Sequence, residues 1–367
     1  MTAGYWPDAA PEQTYMPTST TPYLEYSNTS NITTNARIVL STMLIVAVCL
    51  FADLVVGLRG IDVGSDTYVY ADVFEHLRGG MIETRFEPGF LLITRLMSVA
   101  GFSVHAYQCV LFGLLLLLAI VAARHYFAYL GSTRGRLTFV IAGLAFLFIS
   151  PMFVNASINA VRQGLASLPV FIALLAFHQR QWRTFFIYGV IATSFHYSSL
   201  VYLAFAPLLL VNLKTLRIIA LLAFIAYCTG VTMIVVRAAV PALYNAVMDY
   251  SLASKYKSGV RLDFAVFSIF WYALPYMLSS IVREPFRARL KDSTAVYLVM
   301  LLPFFALGWG NFSNRYLLSA YMAISLMVAA IFFHSRLSVL RNPLLLRGGL
   351  VISCAVFYYY VVNQVLV

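Results

Sequence analysis

Long apolar runs recur along almost all of this 367-residue chain, and its few charged residues lie between them. A helix needs roughly 20 residues to cross the hydrocarbon core of a bilayer, which is about 30 Å thick. Charged residues make up only 11% of the chain, whereas a soluble domain carries about 25%. The runs therefore predict an all-α, polytopic integral membrane protein.

We count eleven predicted spans and one apolar run that is too short to be a span. The spans cover about 38–57, 104–123, 137–154, 157–177, 184–196, 198–212, 217–236, 264–282, 294–309, 316–334 and 345–366. The short run, Phe90–Ala100, is interrupted by Arg95, so we predict a re-entrant or interfacial helix that begins near Pro88. The two short spans around His196 fit either a broken pair or a hairpin with a polar turn.

Residues 1–36 differ from the rest of the chain, because they contain no Lys or Arg and are rich in Thr, Ser, Pro, Asn and Tyr. Such a composition cannot bury a core, so we predict a disordered polar tail. It lacks the basic segment and the cleavage site of a signal peptide. Residues 37–367 contain no repeat of fixed period, and we assign them to one transmembrane domain.

Basic residues in the short loops indicate the orientation, because cytoplasmic loops carry an excess of Lys and Arg. With the N-terminus inside, fifteen basic residues lie inside and ten lie outside or near the outer ends. The inner fifteen are Arg37, Arg124, Arg134, Arg136, Arg180, Arg183, Lys214, Arg217, Arg283, Arg287, Arg289, Lys291, Arg336, Arg341 and Arg347. We predict an inside N-terminus and an outside C-terminus. No basic run is interleaved with aromatic residues, so the net charge of +11 indicates no nucleic-acid partner.

Seven ionisable side chains lie at or just beyond span ends, and alternating the spans places all seven on the outer side. They are Arg59, Asp62, Asp66, Glu87, Arg162, His196 and Arg315. Ionisable groups at the membrane are costly and persist mainly where they face one another or a wet cavity. We interpret the seven as a site for a charged, polar, membrane-tethered substrate.

The first outer loop contributes an arginine and two aspartates. Arg59 is followed by Asp62 and Asp66, with Gly60 and Gly64 between them, which suits a tight polar turn. A solvated loop with tyrosines at the membrane interface would look the same.

Polar residues at the outer end of the span near 157–177 are predicted to share one helical face. They are Asn155, Asn159, Arg162 and Gln163, with Ala166 on the same face. A buried arginine needs an anionic partner, so Arg162 fits an anionic substrate. The alternative is a structural pair with an acidic residue of the first loop.

Two further outer segments contain polar side chains. His196 lies within Ser194–Ser199, where it is as consistent with a structural hydrogen bond as with catalysis. The segment Trp309–Tyr316 lies where a later span re-enters the membrane, and its polar residues include Asn314, Arg315 and Tyr316.

Three separated arginines on one side suit a pyrophosphate, whose oxygens accept paired hydrogen bonds from guanidinium groups. They are Arg59, Arg162 and Arg315. The chain has no phosphate-binding loop, zinc cluster or dinucleotide fingerprint, so we expect no cofactor and a high-energy bond that comes with a lipid-borne substrate. The four cysteines (Cys49, Cys109, Cys228, Cys354) lie in apolar runs without disulfide or metal-ligand spacing, and we expect buried thiols.

Five fragments resemble the EpsG-like proteins, bacterial Wzy-type polymerases of O-antigen, capsule or exopolysaccharide, in order and topology. They are Gly57-Leu-Arg59-Gly-Ile-Asp62-Val-Gly-Ser-Asp66-Thr-Tyr68, Glu87-Pro88-Gly89-Phe90, Arg162-Gln163-Gly164-Leu165-Ala166, Phe195-His196-Tyr197-Ser198-Ser199-Leu200 and Asn314-Arg315-Tyr316. The resemblance covers about residues 45–335. The chain departs from it in its uncharged tail, where many relatives begin with another span, and in Tyr197-Ser198, where Lys-Ser is common.

The resemblance implies a multi-pass polymerase of the bacterial inner membrane, with a GT-C-like helical bundle and an active site that faces the periplasm. It would join undecaprenyl-pyrophosphate-linked oligosaccharide repeat units and release undecaprenyl pyrophosphate. Membrane lipids and a chain-length regulator are the other partners it implies.

Roles for the site residues follow from this chemistry. The base would be His196, Asp66 or Glu87, and we rank His196 first because a helical turn holds it rigidly. The residues expected to bind pyrophosphate or glycan are Arg59, Asp62, Asn159, Arg162, Gln163, Asn314, Arg315 and Tyr316. No metal is needed if the arginines neutralise the pyrophosphate, although Asp62 and Asp66 could recruit one.

Two alternatives stay open. An O-antigen ligase would use the same donor. A large outer domain between late spans would favour a ligase, but the outer loop 237–263 is too short for one. A flippase for the lipid-linked glycan would favour midplane polar groups and inverted repeats.

Overall fold

The computed structural model describes residues 31–80, 84–252, 259–310 and 312–365. Most of the predicted tail, residues 1–30, therefore lies outside the described residues. Two compact units divide the chain at residue 40, and the contacts reported below lie within Ser41–Val367.

Helices make up the described chain, which contains no β-strand apart from an isolated bridge between Val282 and Ser335. The α-helices are α1 (Asn31–Gly57), α2 (Thr67–Gly79), α3 (Pro88–Val99), α4 (Val104–Tyr129), α5 (Arg136–Phe148), α6 (Pro151–Ile158), α7 (Val161–His178), α8 (Trp182–Phe195), α9 (Ser199–Ala204), α10 (Leu213–Cys228), α11 (Val231–Ala239), α12 (Pro241–Leu252), α13 (Leu262–Met277), α14 (Glu284–Leu307), α15 (Leu318–Phe333) and α16 (Pro343–Val362). Short 3₁₀ helices cover Ala206–Leu210, Ser279–Ile281 and Ser313–Leu317. The all-α class is confirmed.

Seven stretches of the described chain are long and apolar enough to cross a membrane. The number rises to nine if each of two bent helix pairs is counted as one span. The seven are Asn35–Gly57, Val104–Tyr129, Val161–His178, Leu262–Ile281, Glu284–Leu307, Ser313–Phe333 and Pro343–Val362. These stretches fit a multi-pass membrane protein. The predicted number of eleven is higher, because the segments around His196 form the 14-residue α8 and the short α9.

Two predicted spans are sharply bent. The predicted span 137–154 forms α5 and α6, which meet at 80°, and 217–236 forms α10 and α11, which meet at 88°. Pro151 begins α6, and its missing N–H favours a new helix start over continuation of α5. Gly230 lies between α10 and α11 with a φ of +76°, a conformation that glycine adopts without strain.

The chain also breaks within the predicted polar stripe. α6 ends at Ile158 and α7 begins at Val161, so 155–166 is not one helix and the continuous helical face was wrong. The break separates Asn155 and Asn159 from Arg162, Gln163 and Ala166. A Cβ atom on Gly164 would lie 2.8 Å from both the Cβ and the carbonyl oxygen of Ala156. Because α6 packs this closely against α7, tertiary contact overrides the local helical preference.

The short helix predicted after Glu87 is present as α3. It has 12 residues, with Pro88 in its first turn, so it is too short to cross a bilayer alone. The preceding polar stretch contains α2, which packs beside α3 through a hydrogen bond from the Ser98 hydroxyl to the Phe74 carbonyl.

Several loops that we predicted on the inner side meet at one end of the bundle. The Ser132 hydroxyl lies 2.9 Å from Nε2 of His334. Tyr129 donates to Asp292 at 2.8 Å, and Arg289 donates to the Tyr129 carbonyl at 3.1 Å. These contacts join the last turns of α4 and α15 to the first turns of α14. α7 fills the centre, with nearly every side chain buried.

Candidate functional site

Glu87 is a buried carboxylate at the opposite end of α7 from these loops, and three donors converge on it. It is 3% exposed and immediately precedes α3. Its Oε2 accepts a hydrogen bond from Nη1 of Arg162 at 2.6 Å, and its Oε1 lies 2.7 Å from Nδ1 of His196. The backbone N–H of Tyr197 donates to Oε1 at 3.4 Å. We call Glu87, Arg162 and His196 the Glu87 cluster.

Three separate elements hold the Glu87 cluster. Arg162 lies in the first turn of α7, where its guanidinium also lies 4.8 Å from the centre of the Phe86 ring. His196 ends α8 in an extended conformation, and its carbonyl accepts a hydrogen bond from the backbone N–H of Ser199, the first residue of α9. The extended backbone of His196 ends the helix and turns the imidazole toward Glu87.

The contacts of Glu87 determine its protonation. Burial raises the pKa of this carboxyl group, but the hydrogen bond from His196, the charge of protonated His196 and the charge of Arg162 together lower the pKa to about 2. An ionised carboxylate only accepts hydrogen bonds, so Nδ1 of His196 carries the hydrogen of that contact. In the neutral imidazole, Nε2 is then the nitrogen that accepts a proton.

Asp66 and Arg315 form a second pair. Nη2 of Arg315 lies 3.0 Å from Oδ2 of Asp66, and the two side chains are 25% and 29% exposed. Asp66 immediately precedes α2, and Arg315 lies in the 3₁₀ helix Ser313–Leu317, with its guanidinium 4.6 Å from the centre of the Phe312 ring. We call Asp66 and Arg315 the Asp66 pair.

Gln163 joins the Asp66 pair to the start of α7. Its amide nitrogen donates to the carbonyl oxygen of Arg315 at 2.5 Å, and it follows Arg162 directly in the chain. Tyr202 of α9 donates to the Tyr316 carbonyl at 2.9 Å. The N-terminal turn of α7 therefore supports both groups, while Asn314 is half-buried beside Arg315.

Arg59 lies apart from both groups. Nη1 donates to the Val56 carbonyl and Nη2 to the Thr67 hydroxyl, and the described residues provide no carboxylate partner. Burial lowers the pKa of Arg59 to about 10, so it stays protonated at neutral pH. Arg59 lines a small cavity of about 10 Å³, room for one water molecule, with Gln108, whose amide has no hydrogen-bond partner among the described residues.

The other predicted residues lie around these groups. Tyr70, which the sequence analysis missed, donates from its hydroxyl to the Asn159 carbonyl at 3.0 Å. Asp62 is exposed, and no ion pair joins it to another described residue. In the described part of the chain, no three His, Cys, Asp or Glu side chains lie close enough to hold a metal ion.

The structure thus brings together six of the predicted site residues and leaves Arg59 and Asp62 outside their contacts. The six are Asp66, Glu87, Arg162, Gln163, His196 and Arg315. Sequence analysis missed Tyr202 and Gln108. Gln108 had a usable signal, because it is a polar residue inside a predicted span. Tyr202 had none, since tyrosines are common in this chain.

The arrangement can bind an anion and accept a proton at neighbouring points. Arg162, His196 and Arg315 are each about one quarter exposed, so a ligand can reach them. Only one nitrogen of Arg162 contacts Glu87, which leaves other guanidinium donors for an anion.

Comparison with known proteins adds one finding. A family model described as the EpsG family matches residues 42–366, essentially the whole chain. No curated protein and no solved structure matches this chain.

Proposed function

This chain belongs to the EpsG family, a Wzy-like polysaccharide polymerase family, and we propose that it polymerises undecaprenyl-pyrophosphate-linked oligosaccharide repeat units. In this reaction the bond between the donor sugar and the pyrophosphate breaks, and a glycosidic bond forms to a hydroxyl of the acceptor sugar. Undecaprenyl pyrophosphate leaves, and the hydroxyl proton passes to the enzyme. We place the reaction at the periplasmic face of the bacterial inner membrane.

One observation carries this proposal: the imidazole of His196 and the guanidinium of Arg162 contact the same buried carboxylate, Glu87. A proton acceptor and a phosphate-binding cation are therefore side by side. Transfer of a sugar from a pyrophosphate to a hydroxyl requires these two groups at the two ends of the reacting centre.

His196 is the base in this mechanism, and Glu87 is a positioning residue. With a pKa of about 2, Glu87 is a poor proton acceptor at neutral pH. Its hydrogen bond to Nδ1 instead holds the imidazole with Nε2 available, as the buried carboxylate does in a Ser-His-Asp triad. The protonated imidazole that forms is then stabilised by the adjacent carboxylate.

Arg162 and Arg315 bind the pyrophosphate and stabilise the charge that develops on it. The half-exposed Asp66 pair contributes little to stability, so a phosphate oxygen can replace Asp66 at small cost. Gln163 acts through Arg315, because it holds the backbone from which that side chain projects.

The test is extension of isolated lipid-linked repeat units by purified protein in nanodiscs. We expect His196→Ala to bind the substrate but to extend it about 10²–10⁴-fold more slowly, the usual range for loss of a general base. His76→Ala is the matched control, since His76 is an exposed residue of α2 whose ion-pair partner is Asp72.

Three outcomes would contradict this proposal. Normal extension by His196→Ala, with loss in Asp66→Asn, would move the base to Asp66. Transfer to an acceptor other than a repeat unit would indicate a ligase. Movement of intact substrate across the bilayer without any extension would indicate a flippase.

A further inference from the structure

An open cavity of about 430 Å³ lies between α3, α8 and α9, and none of the side chains that line it has a role in the reaction proposed above. α8 contributes residues at three- and four-residue intervals, so one face of this helix forms the wall. We call this cavity the α8 groove. The lining residues that matter here are Pro88, Phe186, Gly189, Val190, Tyr197 and Leu200.

The α8 groove is apolar and open. Phe186, Val190 and Leu200 are 64%, 69% and 54% exposed, and almost no polar surface lines the cavity. A soluble protein would rarely leave such a surface uncovered, but in a membrane protein it suits a lipid chain.

One end of the α8 groove lies at the Glu87 cluster. Pro88 lines the groove and directly follows Glu87 in the chain. Tyr197 also lines it, directly follows His196, and places its backbone N–H 3.4 Å from Oε1 of Glu87. The same two backbone segments therefore form the groove and hold the charged site.

We infer that the α8 groove holds the part of the polyprenyl chain that adjoins the pyrophosphate of the donor. This inference rests on the proposed function, because the chain must leave the pyrophosphate where Arg162 binds it. A groove that starts beside this cluster provides an apolar path away from it. Eight residues of α8, from Phe186 to Thr193, extend the path by about 10 Å, enough for the first isoprene units.

Gly189 offers a way to block the groove without touching the charged site. A Cβ atom at Gly189 would lie 3.4 Å from Cδ1 of Leu203, an ordinary contact, so a side chain can be added there. We expect Gly189→Leu to fill the groove and to raise the KM for lipid-linked repeat units about tenfold, with kcat nearly unchanged. Leu200→Trp narrows the groove from its exposed side, where a larger side chain does not overpack the core. We expect it to raise the KM as well.

Gly348→Leu is the matched control. Gly348 lies on α16, and a Cβ atom there would meet nothing within 4 Å, so the substitution adds the same side chain to an apolar helix away from the groove. We expect its KM to equal that of the wild type. An unchanged KM in both Gly189→Leu and Leu200→Trp, with an active wild type, would contradict polyprenyl binding in the α8 groove. It would not contradict the proposed function.

A second measurement needs no turnover, so it tests the groove even if the proposed function fails. A polyprenyl pyrophosphate with a photoreactive group in its first isoprene unit is cross-linked to the full-length protein in nanodiscs, and the adducts are mapped by mass spectrometry. We expect adducts on α8 and α9 that excess undecaprenyl pyrophosphate suppresses and Gly189→Leu abolishes. Adducts that phosphatidylglycerol suppresses equally well would mean that the groove takes ordinary bilayer lipid, which would overturn the inference.

Discussion

The Glu87 cluster and the Asp66 pair each join an arginine to a carboxylate, but they differ in burial and in support. Glu87 is 3% exposed and receives three hydrogen bonds, whereas Asp66 is 29% exposed. The first group joins α3, α7 and α8. The second joins a turn to a short 3₁₀ helix.

This difference in burial predicts different roles for the two ion pairs. Removal of one member of a buried pair leaves an uncompensated charge, so the Glu87 cluster belongs to the frame of the site. A half-exposed pair gains little from its charges, so water or a phosphate oxygen can replace Asp66. We therefore expect substitutions in the cluster to have larger effects than the matching substitutions in the pair.

Removal of Glu87 should have the largest effect. Glu87→Ala leaves Arg162 and His196 without their shared carboxylate, and we expect the free energy of unfolding to fall by about 3–5 kcal/mol. Thermal unfolding of the purified protein in detergent measures this. Glu87→Ala/Arg162→Met should recover part of the loss, because the unpaired charge is gone. Equal losses in Glu87→Ala and Asp66→Ala would contradict the comparison.

Replacement of Arg162 by lysine should have the next largest effect. A point ammonium cannot make the paired contacts that a guanidinium makes with phosphate, so we expect polymer formation to fall about 10²–10³-fold. Arg315→Lys should reduce it less, because its carboxylate partner Asp66 is 29% exposed, whereas Glu87, the partner of Arg162, is 3% exposed. The polysaccharide ladder on a gel, normalised to the protein level in the membrane, provides the readout. A full ladder with Arg162→Lys would make this residue a structural charge.

Acid should weaken the cluster in a defined pH window. The pKa of Glu87 is about 2 in the folded protein, against an ordinary glutamate value of 4.5. Its stabilising contribution is therefore complete above pH 4.5 and is lost as the pH falls toward about 2. We expect the melting temperatures of wild type and Glu87→Gln to converge in that window. A difference that does not shrink in acid would contradict the lowered pKa.

Loss of the Asp66 pair should have the smallest effect on stability. Asp66→Asn keeps the size of the side chain and removes its charge, and we expect a loss of only about 0–1 kcal/mol. Because salt screens exposed charges, this loss should shrink further in high salt. Unfolding curves at low and high ionic strength measure it. A loss of unfolding free energy as large as that of Glu87→Ala would contradict the idea that exposure makes the Asp66 pair less important for stability than the Glu87 cluster.

Much of the fold follows from local sequence. Apolar runs predict the membrane helices because the hydrophobic length of a helix depends only on its own residues. Pro88 marks the start of α3 for an equally local reason, since its fixed φ suits a first helical turn. The five fragments of the EpsG-like pattern are also local, and the family match confirms the family that they indicated.

The sequence also predicted which residues of the site come to one end of the bundle. Alternating spans bring Glu87, Arg162 and His196 to the same end, and their contacts agree with this. It could not predict the pairing, because Glu87 is 75 residues from Arg162 and 109 from His196. It ranked His196 above Asp66 and Glu87 as the base, and that assignment remains part of the proposed function.

The amino-acid sequence by itself determined that this protein is helical, crosses a membrane and belongs to a polymerase family, because these properties depend on composition and short motifs. Only the tertiary structure decided that α6 turns back on α7, that Arg59 lies in its own small cavity, and that Glu87 holds both Arg162 and His196. The bend of a helix and the pairing of a charged side chain both depend on the residues that pack against them. Those residues come from distant parts of the chain.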